Sequence, residues 1–565
     1  MEKVSFTPAP PSVPALRLPQ NNAYQGSVIT GALRPRFAWE ASTVKKGEIT
    51  YEVELSADRT FATGVISAVT TEPSYRPAEP LPVATTAPVG RRYYWHVRAC
   101  VEANCSEYSP TWWVNLGRSD RDFNGDGYAD VAIGAPRTDE GTERDVGRVY
   151  VYFGGPGRAI DSPPTTIIRG LRADDNFGYY LSSAGDFNGD GFADLVVGTG
   201  SPYTERKRAD LFLGAPGPVF DATRDLTFAD IKRNVTTIGD VNGDGFSDLA
   251  ANIDSASIDQ DVCIYLGGAK GTLDQCVSKL SAERFGEEFG GQIAAIGDVN
   301  GDGFSDLAIL SRNAQNTIPT TFGPCINYVY LGGEGNAFDK RPDHSIVGEA
   351  QSECEYALLA NGADLNADGR SDLVMASALR GPADAQVRAY LKLPASGSAP
   401  DQVLRYGAAT PVATALGDIN ADGADDVMII GGPPTPNAAI HLGNSEGATP
   451  GVATTPAAVF PLGYVAAGAG DVNGDGVNDL LVSNPNDATS GLQAGRAYLY
   501  FGNPGGSFEA GIDVIFDGGI ADSFFGKALV LHTPATHQLH GAREKSRPAV
   551  VRARPAPMPP SRTRR

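Results

Sequence analysis

Along most of the chain, short runs in which apolar and polar residues alternate end in glycine. RVYVYFGGPG (148–157) and RAYLYFGNPGG (496–506) are typical, and an apolar run such as DVAIGAP (130–136) precedes each of them. A period of two closed by glycine predicts β-strands joined by turns. Further runs, for example PTTIIRGL (164–171) and EFGGQIAAIGD (288–298), complete each unit. The pattern predicts about four strands per unit and an all-β fold.

A nine-residue pattern, Asp-x-Asn-x-Asp-Gly-x-x-Asp, comes just before the first apolar run of each unit. It occurs seven times, and successive copies start 53 to 66 residues apart. A period of this length indicates a repeated supersecondary unit. The copies, called loops one to seven below, begin at Asp122, Asp186, Asp240, Asp298, Asp364, Asp418 and Asp471.

The nine-residue pattern offers the hard oxygen ligands that Ca²⁺ prefers. Ca²⁺ takes six to eight oxygens, and a tight loop can supply side chains from positions 1, 3, 5 and 9 and a carbonyl from position 7. Glycine at position 6 permits the sharp turn. The loop resembles an EF-hand loop, but aspartate closes it at position 9 and a strand follows. The alternative is an Asx-rich turn without metal, in which three close carboxylates would repel one another.

The sequence therefore predicts up to seven structural calcium ions. The predicted side-chain ligands are Asp122, Asn124, Asp126, Asp130, Asp186, Asn188, Asp190, Asp194, Asp240, Asn242, Asp244, Asp248, Asp298, Asn300, Asp302, Asp306, Asp364, Asn366, Asp368, Asp372, Asp418, Asn420, Asp422, Asp426, Asp471, Asn473, Asp475 and Asp479. The predicted backbone carbonyl ligands, at position 7, are Tyr128, Phe192, Phe246, Phe304, Arg370, Ala424 and Val477.

The repeats resemble a known family. The Phe-Gly pairs at 177–178 and 289–290, the acidic loop and the Gly-Ala-Pro at 134–136 are similar to FG-GAP repeats. Such repeats form the β-propeller head of integrin α-chains and of many bacterial surface proteins. The resemblance implies a seven-bladed β-propeller over residues 119–531, with four-stranded blades. The third repeat, entered by KRNVTTIGD, and the fifth, entered by CEYALLANGAD, lack the Phe-Gly pair.

The two ends of the predicted propeller complement each other. The first loop has no Phe-Gly strand before it, whereas SFFGKAL (523–529) near the end has no loop after it. We expect this last strand to complete the first blade and close the ring, the alternative being a truncated eighth blade. Residues 532–565 form a Pro-rich basic tail, which we expect to be disordered. A tail that binds membranes or polyanions, and a frame-shifted remnant of an eighth repeat, are the alternatives.

The first part of the chain has no acidic loop. Residues 1–20 are a Pro-rich leader without the apolar core of a secretory signal, so the protein stays inside the cell or its true start lies upstream. Short alternating strands with tryptophan predict a β-sandwich over residues 21–118. The segment RRYYWHVRACVEANCSEYS (91–109) resembles the end of a fibronectin type III domain.

The six cysteines fall into three local pairs, which suits disulfides and an oxidising compartment. The alternative is six buried free thiols. The predicted pairs are Cys100 with Cys105, Cys263 with Cys276 and Cys325 with Cys354.

Charge narrows the set of partners. The formal net charge is −21, which argues against a nucleic-acid partner because a phosphate backbone needs a basic surface. Seven Ca²⁺ ions would offset two-thirds of this charge. The sequence contains no apolar stretch long enough to span a membrane.

Catalytic motifs are missing from the sequence: it has neither Gly-x-Ser-x-Gly nor His-Glu-x-x-His. His96 and His441 lie in strand-like runs, where packing is the expected role. The sequence therefore predicts an extracellular or cell-surface calcium-binding protein, not an enzyme, that recognises an unknown protein or glycan. The alternatives are a polysaccharide hydrolase or lyase on the same fold and a pure scaffold.

Overall fold

The computed structural model shows an all-β chain. It describes residues 9–19, 21–157, 160, 163–200, 208–253, 261–269, 275–282, 287–313, 325–335, 338, 340–347, 358–377, 386–394, 399–405, 412–430, 438–444, 447, 465–503 and 512–529. These ranges contain 36 strands and no helix. Accordingly, no helix in the described ranges has the length and apolarity needed to cross a membrane. The predicted basic tail lies outside the described residues.

Residues 9–118, called the N-terminal unit below, form two sheets. Their strands are β1 (Leu16–Leu18), β2 (Ala23–Gln25), β3 (Phe37–Trp39), β4 (Thr50–Ser56), β5 (Ile66–Thr70), β6 (Ser74–Tyr75), β7 (Arg91–Val101), β8 (Asn104–Cys105) and β9 (Trp112–Leu116). The smaller sheet has the order β1-β3-β6. The larger has the order β2-β9-β7-β4-β5, with β8 paired to β7, and its β2–β9 pair is parallel.

One apolar core joins these two sheets. Phe37 and Trp39 enter it from the smaller sheet, and Trp95, Val97 and Trp112 enter it from the larger one. In β4 and β7 buried residues alternate with partly exposed ones, which is the period of two expected when one face of a sheet covers a core. Residues of both sheets therefore contribute to one shared core.

Residues 119–529, called the ring below, hold the other strands. The first three sheets contain β10 (Val131–Ala135), β11 (Arg148–Tyr152), β12 (Thr166–Arg169), β13 (Tyr180–Gly185), β14 (Asp194–Gly198), β15 (Arg208–Phe212), β16 (Leu226–Ala229), β17 (Ile231–Gly239), β18 (Asp248–Ile253), β19 (Asp261–Tyr265) and β20 (Ser278–Ser281). The next two contain β21 (Glu287–Gly297), β22 (Asp306–Asn313), β23 (Cys325–Tyr330), β24 (His344–Val347), β25 (Leu358–Ala363), β26 (Asp372–Ser377), β27 (Gln386–Tyr390) and β28 (Gln402–Arg405). The last strands are β29 (Val412–Gly417), β30 (Asp426–Ile430), β31 (Ala438–His441), β32 (Val465–Gly470), β33 (Asp479–Asn484), β34 (Arg496–Tyr500), β35 (Val514–Asp517) and β36 (Ala528–Leu529).

Within the described residues these strands form consecutive antiparallel sheets. Six have four strands, and the sheet of β29 to β31 has three described strands. The first strands of neighbouring sheets contact each other in succession from β13 to β36, and β36 in turn contacts β13. Four-stranded sheets packed in succession around an axis are the arrangement of a β-propeller.

The end of the chain closes the ring. β36 pairs with β10, Leu529 opposite Ile133 and Ala528 opposite Gly134, so the first sheet takes its innermost strand from the far end. This confirms the expected closure by the SFFGKAL segment. The apolar core between the seventh and first sheets contains residues from both, including Tyr150 and Leu499.

The Phe-Gly pairs are part of these inter-sheet cores. Phe177, Phe289 and Phe525 are fully buried, and each belongs to a cluster shared by two neighbouring sheets. The glycine after Phe177 has φ +83°, a conformation that a side chain disfavours. An added Cβ there would also lie 2.7 Å from the Arg148 carbonyl oxygen. The pair therefore combines a core side chain with a tight backbone contact.

Two of the predicted disulfides are present. Cys100 bonds to Cys105 across the β7–β8 hairpin, and Cys263 bonds to Cys276. Cys325 is also disulfide-bonded, and Cys354, its predicted partner, lies outside the described residues. No described cysteine is free, so the alternative of six free thiols is wrong.

Candidate metal centres

All seven acidic loops lie at one end of the ring. Six of them connect the first strand of a sheet to its second, as the loop at Asp186 connects β13 to β14. Loop one, at Asp122, instead connects β9 of the N-terminal unit to β10. Because the strand before loop one comes from the chain's end, this loop is also where the N-terminal unit enters the ring.

The carboxylate at position 1 organises its own loop. Asp122 accepts hydrogen bonds from the backbone N–H groups of Gly125 at 2.5 Å, Asp126 at 3.1 Å and Gly127 at 2.6 Å. The same bond from the position-6 glycine to the position-1 carboxylate recurs in every loop, for example from Gly303 to Asp298 at 2.6 Å. The seven position-6 glycines have φ between +86° and +97°, which confirms the tight turn predicted there.

The aspartate at position 9 ties the loop to its sheet. Asp130 accepts one hydrogen bond from the Phe123 N–H at 2.7 Å and another from the Gly154 N–H at 2.9 Å. Six of the seven loops have both contacts. In loop five Lys392 occupies the place of that glycine, and Asp372 Oδ1 is buried without a hydrogen-bond partner.

Backbone hydrogen bonds also join each loop to the one before it. In every loop the N–H at position 8 donates to the position-1 carbonyl of the preceding loop, for example Ala193 to Asp122 at 3.0 Å. The series closes on itself, because Ala129 in loop one donates to Asp471 in loop seven at 2.9 Å. This contact could not be predicted from the sequence, because the spacing within one repeat carries no information about contacts with the next repeat.

Side chains at position 7 make a second contact between neighbouring loops. An added Cβ on Gly243, at position 4 of loop three, would lie 2.4 Å from the ring of Phe304, at position 7 of loop four. Position 4 is glycine wherever the next loop has a large residue at position 7. Where position 7 of the next loop is the smaller Ala424 or Val477, position 4 is Ala367 or Ala421 respectively. These two alanines have φ of +58° and +57°. A comparison of the seven copies could have revealed this pairing.

Most aspartates at positions 1 and 9 of the loops are buried, and burial is the largest cause of their raised pKa values. The pKa is raised to about 7 for Asp122 and Asp186 and to about 8 for Asp306 and Asp372. Neighbouring carboxylates in the same loop raise these values further. A bound divalent cation would favour the ionised form and reverse the shift.

Loop three differs in its electrostatic surroundings. Burial again raises the pKa of Asp240, but Arg92 and Arg118 of the N-terminal unit oppose that shift. These two guanidinium groups therefore bring positive charge to an acidic loop that a bound cation would also compensate.

The donor set suits calcium, although the carboxylates are not gathered around one point. In the described residues, the one set of three His, Cys, Asp or Glu side chains with ligand atoms within 4.8 Å of one another is Glu52, Cys100 and Cys105. Its two cysteines are joined by a disulfide. In the loops, the Asn side chain at position 3 instead donates to the position-5 carboxylate, as Asn124 does to Asp126 at 2.9 Å.

Two buried carboxylate oxygens without a hydrogen-bond partner support a cation site in the loops. Asp186 Oδ1 at position 1 and Asp372 Oδ1 at position 9 are buried and lack a hydrogen-bond partner. A buried carboxylate oxygen without a donor is costly unless a cation satisfies it.

Comparison with known proteins identifies the repeats. A family model described as FG-GAP repeat matches residues 120–152, 177–206 and 463–500. Integrin alpha-5 of Xenopus laevis is 39% identical over 105 residues, which are 17% of this chain and 10% of the integrin. Integrin alpha-4 of the same species is 29% identical over 240 residues, 40% of this chain and 21% of the integrin. Integrin alpha-PS5 of Drosophila melanogaster is 32% identical over 141 residues, 23% and 14% of the two chains.

These alignments cover only about a tenth to a fifth of each integrin chain. Among solved structures, a quinoprotein alcohol dehydrogenase-like protein from Bacteroides thetaiotaomicron aligns with 90% of this chain and 97% of its own, at 10% identity. The TM-score of 0.28 is too low to support an argument about fold or function. The matched repeats and the closed succession of sheets together show that this chain carries FG-GAP repeats and is an integrin alpha-like β-propeller protein.

Proposed function

We propose that the ring is a seven-bladed, calcium-stabilised propeller that recognises a protein or glycan outside the cell. The observation that carries the proposal is the closed series of hydrogen bonds from Ala129 through the loops to Asp471. It places each acidic loop against two others, so an ion that holds one loop also supports its neighbours. The relatives support a role in adhesion or recognition, because the similar repeats belong to integrin alpha chains.

Calcium as the ion follows from the ligand chemistry. The loops offer carboxylate, amide and carbonyl oxygens, which are the ligands of a hard cation, and the glycine at position 6 makes the tight turn that brings them together. Once bound, the ion supplies charge compensation to buried carboxylates and has no catalytic part in this proposal. The aspartates at positions 1 and 9, such as Asp186 and Asp194, would hold it together with the oxygens at positions 3, 5 and 7.

The buried acids favour binding over catalysis. Among the described aspartates and glutamates with raised pKa values, all except Asp145 lie within the acidic loops. Carboxyls with raised pKa values are frequent in active sites, but here nearly all of them belong to the proposed calcium sites. We therefore propose that the protein is not an enzyme.

We further propose that the N-terminal unit is the fibronectin type III-like sandwich predicted for residues 21–118. Its shared core and the Cys100–Cys105 disulfide support this proposal. Disulfides also support an extracellular or cell-surface location, because they persist in oxidising compartments.

A binding array of glycans and matrix proteins tests the proposed function. The full chain should bind a defined subset of the array in millimolar calcium, and binding should fall at least tenfold in a chelator. Release of reducing sugars from a bound glycan would instead identify a hydrolase, and unsaturated sugar products would identify a lyase. Absence of binding to every protein and glycan, with calcium bound, would favour a scaffold.

A further inference from the structure

The N-terminal unit covers most of the acidic loops. At five position-6 glycines an added Cβ would meet the N-terminal unit within 3.1 Å. The contacts are Gly191 with Val89, Gly245 with Pro88, Gly303 with Tyr94, Gly369 with Thr111 and Gly423 with Leu16. At Gly127 and Gly476, in loops one and seven, the same position has no atom within 4 Å, and both glycines are exposed. At position 6 the seven loops thus divide into five covered loops and two open ones, and loop one approaches the N-terminal unit only at position 4, where a Cβ on Gly125 would lie 3.2 Å from Ile29.

Two arginines attach the N-terminal unit to the covered loops. Arg118 donates from Nη1 to the carbonyl of Gly245 at 2.6 Å, and Arg92 donates to the carbonyl of Gly303. Both acceptors are position-6 carbonyls, one residue before the predicted carbonyl ligand. Arg118 is only 9% exposed, so these bonds form in a site largely shielded from water, where charge-assisted bonds are strong.

One buried asparagine holds both arginines in place. Asn115, which is fully buried in β9, accepts from Arg92 Nε at 3.2 Å and from Arg118 Nη2 at 2.9 Å. Its own amide donates to Asn22 at 3.0 Å. The guanidinium groups are therefore oriented by the N-terminal unit itself, and they need correctly placed carbonyls on the ring.

A backbone contact completes this interface. The Val89 N–H donates to the Gly189 carbonyl at position 4 of loop two, at 2.8 Å. The carbonyls of Gly189, Gly245 and Gly303 all belong to turns whose shape depends on the acidic side chains inside them. Without a cation the carboxylates of one loop repel one another, and only the backbone hydrogen bonds to the position-1 carboxylate, such as Gly245 to Asp240, hold the turn.

From this interface we propose that calcium in the covered loops docks the N-terminal unit on the ring. The proposal rests on the calcium binding proposed above. The ion fixes the loop, the loop aims its carbonyls at Arg92, Arg118 and Val89, and loss of the ion releases the unit as an intact domain. Coupling of this kind is reciprocal, so the docked unit also strengthens calcium binding in the covered loops.

Amide hydrogen exchange of the full chain tests the proposal at one atom. Val89 N–H lies across the interface, whereas the amide of Val97 lies within the N-terminal unit and reports its folding. Removal of calcium by a chelator should speed exchange at Val89 at least tenfold and leave Val97 protected. Metal content is measured on the same samples, so that loss of calcium is established independently.

Paired variants separate docking from folding. Arg92→Ala with Arg118→Ala should speed exchange at Val89 even in calcium, and Arg76→Ala, which removes an exposed arginine of the same unit, should not. Gly423→Ala and Gly476→Ala introduce the same strain, at φ +92° and +90°, but only the first also meets the N-terminal unit. Gly423→Ala should therefore undock the unit, and Gly476→Ala should leave it docked.

The outcomes distinguish the two proposals. Calcium that binds and leaves without any change at Val89 would overturn the docking proposal alone. Absence of bound calcium from the purified chain would overturn the proposed function, and the docking proposal with it. Equal exchange at Val89 in Gly423→Ala and Gly476→Ala would likewise contradict docking through the covered loops.

Discussion

The N-terminal unit and the ring are both built of β-sheets but differ in what they bury. The core of the N-terminal unit contains large apolar side chains, and none of its described aspartates or glutamates is fully buried. The ring buries at least one aspartate in every loop, and Asp194, Asp248 and Asp479 are completely inaccessible to water. The N-terminal unit is thus held by apolar burial and one disulfide, whereas in the ring the proposed cations would compensate the charge of the buried carboxylates.

All four tryptophans lie in the N-terminal unit, so the two regions can be observed separately. Trp39, Trp95, Trp112 and Trp113 make fluorescence a report mainly on that unit, although Trp112 also lies near Gly369 of loop five. Calorimetry reports on both regions.

Removal of calcium should have the largest effect, and the loss of stability should fall mainly on the ring. With a dissociation constant of about 10⁻⁴ M, 1 mM free calcium stabilises each site by about 1.4 kcal/mol. Seven sites give about 10 kcal/mol. Calorimetry should show the ring transition falling sharply in a chelator and recovering when calcium is added back. An equal fall in the tryptophan transition would remove the distinction between the regions.

The pH dependence of the ring should change sign with calcium. In the calcium-free ring the pKa values of Asp418, Asp122 and Asp306 are raised to about 6, 7 and 8, above the unfolded value of about 3.9. The folded form then binds protons more tightly, so its stability should fall as pH rises from 5 to 8. Bound calcium keeps the groups ionised, so the loaded ring should lose stability as pH falls. Melting curves at pH 5 and 8 check both signs, and parallel pH profiles would contradict the account.

A cavity in the N-terminal unit should act independently of calcium. Leu55 is fully buried in β4, and Leu55→Ala should cost about 2–5 kcal/mol. The tryptophan transition should shift equally with and without calcium. Val69→Ala, on the neighbouring strand at 69% exposure, is the matched control and should change stability little. A calcium-dependent cost of Leu55→Ala would show that the two regions share their stability.

The smallest effect should come from one neutralised carboxylate in an open loop. Asp126→Asn keeps the acceptor for the Tyr128 N–H, at 3.0 Å, but removes one charge. In calcium the ring should lose one ion and about 1–2 kcal/mol. In a chelator the variant should equal or exceed the parent in stability, because one repulsive charge is gone. A similar loss in both conditions would mean that Asp126 acts by hydrogen bonding alone.

The sequence was most informative wherever a signal is local. The strands around each loop and the tight turn at position 6 follow from patterns within one repeat. The closing strand at Ala528 could be predicted because the first repeat lacks a strand and the last segment lacks a loop. Contacts between repeats were not predicted. Asp122, whose carbonyl accepts from Ala193, lies 71 residues earlier in the chain, and local sequence patterns give no information about so distant a partner. The interface between the N-terminal unit and the acidic loops could not be predicted for the same reason. It depends on Arg92 and Arg118, which in sequence look like ordinary charged residues of a strand and a linker.

Metal content of the purified full chain tests the central claim most directly. The protein is dialysed against buffer with 1 mM calcium, and bound calcium per chain is measured against the dialysate by elemental analysis. The account predicts about seven calcium ions per chain, all removed by a chelator and restored on its withdrawal. Calcium no higher than in the dialysate would contradict it.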